Sequence, residues 1–511
     1  MPRIPHGAML TADQQEFARE SAQPPGTGAN QTPPFLPLPD SGFWPFEFLF
    51  RGLQDDPENR LPEDENTVEK LKELGSTMKD PGSPSLPGVP VPTIYTFFGQ
   101  FVDHDITFAN VSDRVKLSAS DLKPVPAKEI AQYIVNSRSP NLDLDSVYWY
   151  GSPRDPVNSQ MLRIDKVDHN RGLPAGKDLY NDLPRAPKSQ DPRCDRVALI
   201  GDPRNDENLV VSQLHVAFLR AHNTVVERGH SFDEAKRLIT QHYQWIVLDD
   251  FLERVADPAI VKKIRNRGPA FFKPGLGLLA LPLEFSVAAY RFGHSKVREQ
   301  YYRFNERNHI LDSKSMFELT RFGGDLRDKD HLVDDWVIDW TDFVATKGPS
   351  DSPRPIGPQL TLPLLDLPPR MLGDDAPAIT NLATRNLLRG YVLGLPTGQA
   401  VAGAMSEEGI VPLKSEQIES VAISPAQRDA LRAPCFREKT PLWFYILAEA
   451  AYYNKGWHLG PVGSTIVAEV LIEVLRRSDD SILSNPYWRP TLSASPAKFD
   501  LSDLLKVARV F

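Results

Sequence analysis

The chain has 511 residues, 41% hydrophobic and 24% charged, a globular composition long enough for a large core. Its net charge is −9 with no long basic run, which argues against a nucleic-acid partner. Two cysteines exclude a disulfide framework, and no apolar run approaches the ~20 residues that span a bilayer.

From its start, Met1-Pro2-Arg3-Ile4-Pro5 lacks the apolar stretch of a signal peptide. A soluble protein is expected, cytoplasmic or secreted without a recognisable signal. Residues 1–30 are polar with Gly and Pro and read as disordered. Proline is abundant, 47 residues in the chain, and clusters within 24–92, so this segment is not mainly helical. Glu65 to Lys79 is the exception, with Val68, Leu71 and Leu74 on one face. The aromatic run Phe43 to Phe50 reads as an extended arm packed on the main body. Glu47 and the lack of a flanking basic cluster count against a membrane-surface patch.

Beyond residue 90 the pattern is helical. Expected helices run over Leu209–Arg228, Ser231–Glu253, Phe285–Tyr302, Asn381–Tyr391, Thr440–Tyr453 and Val462–Arg477. Ser231 followed by Glu234 is a capping-box signature. Strand patterns are scarce and the connections are long and Pro-rich. The fold class is therefore mainly α, with residues 1–90 a flexible Pro-rich arm and 91–511 one large helical domain with little β.

Four segments carry chemistry. Gln100-Phe101-Val102-Asp103-His104-Asp105 sets a histidine between two carboxylates after the apolar run Ile94 to Phe98. Burying two like charges together is costly unless a cation or a covalent bond absorbs them. Gly201-Asp202-Pro203-Arg204-Asn205-Asp206-Glu207 precedes the apolar helix at 209. Tyr290-Arg291-Phe292-Gly293-His294 lies in a helical stretch, and Arg385-Asn386-Leu387-Leu388-Arg389 in another, before Gly394-Leu395-Pro396. Together they supply two histidines on separate elements, a fixed cation and a side-chain amide. That set suits haem-dependent peroxide chemistry. One imidazole ligates iron, the other shuttles a proton, and an arginine offsets developing charge. The ligating imidazole also needs a partner for its second nitrogen.

In this order the four segments resemble the animal-type haem peroxidases of the peroxidase–cyclooxygenase superfamily, from about residue 90 to about residue 480. The resemblance implies haem b as cofactor, and hydrogen peroxide and a small electron donor (halide, thiocyanate or phenol) as reactants. It implies His104 as the distal histidine, Gln100 as the distal glutamine and Arg204 as the distal arginine. His294 would be the proximal iron ligand, Asn386 its partner, and Arg291 and Arg389 the arginines facing haem propionates. Asp103 and Glu207 match carboxylates that form ester bonds to haem methyl groups. Asn208 stands where one branch has a methionine, so no sulfonium link is expected. At the start of a helix Glu207 is equally a carboxylate favoured by the dipole.

A calcium site is the fifth element. Ser139-Pro140-Asn141-Leu142-Asp143-Leu144-Asp145, ahead of Tyr150-Gly151, presents oxygens at alternate residues, as a hard cation requires. By resemblance Ser139, Asn141, Asp143 and Asp145 ligate calcium, with Asp105 completing the site. An acidic solvent loop is the plain alternative. Two other functions compete. The superfamily's fatty-acid dioxygenases place a tyrosine three residues before the proximal histidine, where Arg291 stands here and Tyr290 is four before. A non-catalytic haem- and calcium-binding protein would need His294 but neither His104 nor Arg204.

Overall fold

A computed structural model describes residues 43–80, 91–118, 121–149, 152–168, 181–192, 194–275, 277–302, 304–305, 307–345, 354–368, 371, 379–493 and 497–511. Residues 1–30, most of the proline run 81–92 and the Tyr150-Gly151 pair lie outside them.

The aromatic run near the start forms a strand, β1 (Trp44–Glu47), with Phe46 and Phe48 buried. It pairs antiparallel with β3 (Ile134–Asn136), which pairs with β2 (Ala109–Val111). On its other side β1 runs parallel to β4 (Leu281–Pro282), giving the order β2-β3-β1-β4. The buried Glu284 carboxylate accepts from Leu49 N at 2.8 Å, fastening the chain just beyond β1. Burial, and to a lesser degree the Glu47 charge, push this carboxyl up to about 7.

Helices make up the rest of the frame. Asp64 caps α1 (Glu65–Thr77) by accepting from Thr67 N. α2 (Ile94–Ile106) is buried along Ile94, Phe97, Phe98, Phe101 and Val102. Asn208 caps α3 (Leu209–Glu227), accepting from Val211 N at 3.1 Å. The ring of Phe101 on α2 stacks on Phe218 of α3, centroids 4.7 Å apart and 5° from parallel. α4 (Phe232–Ile246) opens on the Ser231–Glu234 capping box. The continuous helix expected to Glu253 instead passes through a π turn, Val247–Phe251, and a last helical turn, Leu252–Val255. α5 (Leu382–Val392), α6 (Leu442–Asn454) and α7 (Pro461–Arg477) complete the core, α5 packing on α1. Among the described residues no helix is long and apolar enough to cross a membrane. Cys194 and Cys435 are both free.

One expected helix is corrected. Phe285–Tyr302 is a π turn, Glu284–Ala288, followed by a 3₁₀ segment, Ala289–Lys296, and then a strand, Gln300–Tyr302, paired with Ile310–Asp312. Ala288, at φ −126° and ψ −71°, breaks the helical register between the two turns. Val297 turns extended at ψ 133° and releases the strand. The apolar spacing of this stretch is helical, but tertiary contacts set its hydrogen-bond register. Such local changes of helix type are frequent at functional sites.

Candidate active site

α2, the turn before α3, the 289–296 segment and α5 converge on one cleft. Its empty space, open mouth included, is ≈ 1720 Å³. Gln100, Asp103, His104, Arg204, Glu207, Arg291, His294 and Arg389 all line it. Asn386 stands just behind this wall, in contact with His294.

The Arg204 turn is built by its own sequence. Asp202 accepts from Arg204 N at 2.9 Å, and Pro203 opens the 3₁₀ turn Pro203–Asp206. Gly201 is required by close approach, because a methyl group there would stand 2.4 Å from Asp145 O. The buried Asp202 carboxylate also takes the Arg204 guanidinium at 2.7 Å and Arg138 at 2.9 Å. Burial alone would raise its pKa, but the two arginines outweigh that and hold it well below the carboxylate range. Arg204 Nη2 donates to His104 O and Thr107 O, tying the turn to the end of α2. The guanidinium lies over the Phe108 ring, 4.2 Å from its centroid. Among the described residues its Nη1 makes no hydrogen bond, which leaves it for a ligand.

His104 is 1% exposed. Its Nδ1 lies 2.8 Å from Asn205 Oδ1, and Asn205 Nδ2 lies 3.0 Å from Nδ1 of the buried His215. With the amide oxygen toward His104, Nδ1–H donates and Nε2 keeps its lone pair. Burial, and then the Arg204 charge, lower the His104 pKa to about 4, so the ring is neutral near pH 7. Asn205 and His215 escaped the sequence reading. The only signal was that Asn205 directly follows Arg204.

The carboxylates are both near this wall. Glu207 accepts from Gln100 Nε2 at 3.1 Å, and Gln100 Oε1 accepts from Asn208 Nδ2 at 3.2 Å. Asp103 accepts from Thr107 Oγ1 at 3.0 Å. Behind them Arg185, missed in the sequence, clamps Asp206 and Asp182 with two donors each, at 2.7–3.0 Å.

On the other wall Asn386 Nδ2 lies 2.8 Å from His294 Nδ1, and Asn386 Oδ1 accepts from Arg291 Nη1 at 2.8 Å. In that arrangement Nδ1 accepts and the proton sits on Nε2. Iron ligation through Nε2 needs the opposite tautomer, with Nδ1–H donating to the amide oxygen. A turned Asn386 amide supplies it by bringing Oδ1 to the imidazole, at the cost of the hydrogen bond that Oδ1 now accepts from Arg291. Arg291, expected to face a propionate, thus holds Asn386 and also donates to Ser286 O, while Arg389 donates to Val115 O. Thr96 Oγ1, Ser286 Oγ, Tyr290 Oη and Lys296 Nζ are buried without hydrogen-bond partners among the described residues, and their residues line the cleft. Orphaned polar atoms around this cleft fit a cofactor that the chain alone does not supply.

The acidic loop comes to α2. Ser139 Oγ lies 3.3 Å from both Asp143 Oδ2 and Asp145 Oδ2, and Leu144 N donates to Asp105 Oδ2 at 3.2 Å. Leu144 takes a left-handed φ of 59° to make that bend, and Asn141 is half-buried on the same loop. Burial and then the Asp145 charge raise Asp105 to about 7, and the same two causes raise Asp143. Among the described residues no three imidazole, thiolate or carboxylate groups form a closed metal cluster.

The animal haem peroxidase family model matches residues 126–338. A peroxidase-like protein of Margaritifera margaritifera is 36% identical over 111 residues, 19% of this chain and 14% of that protein. The dual oxidase of Drosophila melanogaster is 25% identical over 263 residues, 41% of this chain and 16% of that protein. The chain thus spans about a seventh of the length of these curated relatives. Peroxidase A from Dictyostelium discoideum superposes with TM-score 0.58 at 15% identity, covering 91% of this chain and 93% of that one. Oryza sativa fatty acid alpha-dioxygenase gives 0.52 at 15% identity, covering 83% and 75%.

Proposed function

We propose that this chain is a haem peroxidase of the peroxidase–cyclooxygenase superfamily, acting on hydrogen peroxide and a small electron donor, a reading supported by the animal haem peroxidase match over residues 126–338 and the likeness of fold to peroxidase A. The observation that carries the reading is the single cleft lined by His104 with Arg204 and by His294 with Asn386 behind it. His294 would hold haem iron, with Asn386 accepting its Nδ1 proton. When bound, haem supplies the redox chemistry toward peroxide and donor. His104 Nε2 takes a proton from one peroxide oxygen and returns it to the departing one. Arg204 Nη1 offsets negative charge at that oxygen, and cannot itself deprotonate. Gln100 fixes water or a halide beside them. Arg389 would face a propionate, and Asp103 and Glu207 would reach the haem edge as ester donors.

Calcium belongs to the same proposal. Asp105, Asp143 and Asp145 burden one another with like charge, and Ser139 and Asn141 add neutral oxygens. A divalent cation would offset that repulsion and lock the loop to α2 beside His104.

The test is the reaction of the haem-loaded chain with peroxide, with iodide, bromide, thiocyanate and a phenol compared as donors. His104→Ala and Arg204→Ala should each slow it, by ~10²–10⁴-fold for His104. Parent rates in both variants would refute the mechanism. Fatty-acid dioxygenation is the second reading, favoured by the buried, unpartnered hydroxyl of Tyr290 on the cleft wall. A single stereospecific hydroperoxide from linoleate, lost in Tyr290→Phe, would establish it in place of the first.

A further inference from the structure

Five basic side chains line the cleft: Arg204, Arg291, Lys296, Arg385 and Arg389. The four arginines are engaged. Arg204 holds Asp202, Arg291 holds Asn386, and Arg385 and Arg389 donate to the carbonyls of Ile379 and Val115. Lys296 is different. It is 1% exposed and its Nζ has no hydrogen-bond partner among the described residues. Among the described residues no carboxylate lies near enough to act on it.

A buried amine with three unused donors is costly to keep. Packing alone does not call for one, because a methionine fills similar space without the charge. Met316, Phe317, Leu364, Leu367 and Met371 also line the cleft and offer no side-chain counter-charge. The missing partner is therefore an anion brought in by a ligand. One unpartnered cation, in a cleft whose arginines are engaged and which these apolar side chains also line, matches one negative charge on an apolar body. A phosphate would bring a second charge, and a halide would leave those walls unused.

We infer that Lys296 is the receptor for a carboxylate carried into the cleft on a largely apolar molecule. The inference rests on the cleft being the cofactor and substrate cavity. The carboxylate has two sources, a haem propionate or an acid-bearing substrate, and both use the same ion pair.

The experiment uses the full chain, with Lys296→Met and Lys296→Arg. Iron protoporphyrin IX and its dimethyl ester are titrated by absorbance, and octanoate and octanol by calorimetry. Lys296→Met should weaken one of the two acids about tenfold or more, while the diester and the alcohol bind as before. Lys296→Arg should recover most of the loss. A loss confined to protoporphyrin assigns the propionate, and one confined to octanoate assigns the substrate acid. Binding of both acids within twofold of the parent overturns the inference, as does equal weakening of the neutral analogues. If Lys296→Met does not fold, Lys296→Gln takes its place. A parent chain that fails to prefer either acid over its neutral analogue overturns the inference without any variant. Failure of the parent to take up haem would count against the peroxidase reading alone, since the octanoate arm still reads Lys296.

Discussion

Replacing Asn205 with Leu removes the acceptor 2.8 Å from His104 Nδ1 and the donor 3.0 Å from His215 Nδ1. Both rings are buried, at 1% and 0% exposure, so water does not readily take the amide's place. Leaving a buried N–H without an acceptor costs ~1–3 kcal/mol, about a 5- to 150-fold change in the tautomer ratio. The proton then shifts toward Nε2, which loses the lone pair that must accept from peroxide. The stopped-flow rate of peroxide reaction in Asn205→Leu should fall about tenfold or more, approaching the His104→Ala floor from above. Global stability should drop by ~1–3 kcal/mol in denaturant titrations, from the orphaned ring nitrogens. Asn205→Asp separates tautomer control from packing, because a carboxylate still accepts Nδ1–H. It should keep the rate near pH 7 and shift the acid limb upward. A Leu variant within twofold of the parent rate, with the haem spectrum unchanged, would refute the assignment of the amide oxygen to His104.

The parent's own acid limb should be low. Burial and Arg204 hold His104 at about 4 against the ordinary 6.5, so the peroxide rate should stay level from neutral pH and fall only as pH passes about 4. On stability, the unfolded chain binds the extra proton between about 6.5 and 4, so this group's contribution is full above 6.5 and is lost as pH falls toward 4, read as a declining denaturation midpoint. Prolonged chelation should lower melting temperature and peroxide reactivity together, and Asp143→Ala should do the same. Elemental analysis finding no calcium in active protein would exclude that site. Arg185→Met should cost ~3–5 kcal/mol, because it strands the buried carboxylates of Asp182 and Asp206. Adding Asp206→Asn should recover part of that cost, and a single variant melting like the parent would refute the clamp.

The sequence alone carried the local devices of this protein. Apolar spacing located α3, α5, α6 and α7 to within a few residues, and Ser231 with Glu234 marked the start of α4. These are short-range effects, written in neighbours three or four positions apart. Motif order likewise singled out His104, Arg204, His294 and Asn386, which the fold brings to one cleft and the wall behind it. What neighbouring residues could not decide is where buried polar groups find partners. Asn205 meets His104 and His215, Arg185 meets Asp182 and Asp206, and Arg291 meets Asn386. Helix type at 284–296 was equally hidden, because the choice among π, 3₁₀ and α hydrogen bonding was made by packing. A low-dielectric interior makes each such pairing strong and each omission costly. Only the assembled tertiary structure reveals that Lys296, alone among the cleft cations, was given no partner by the described chain.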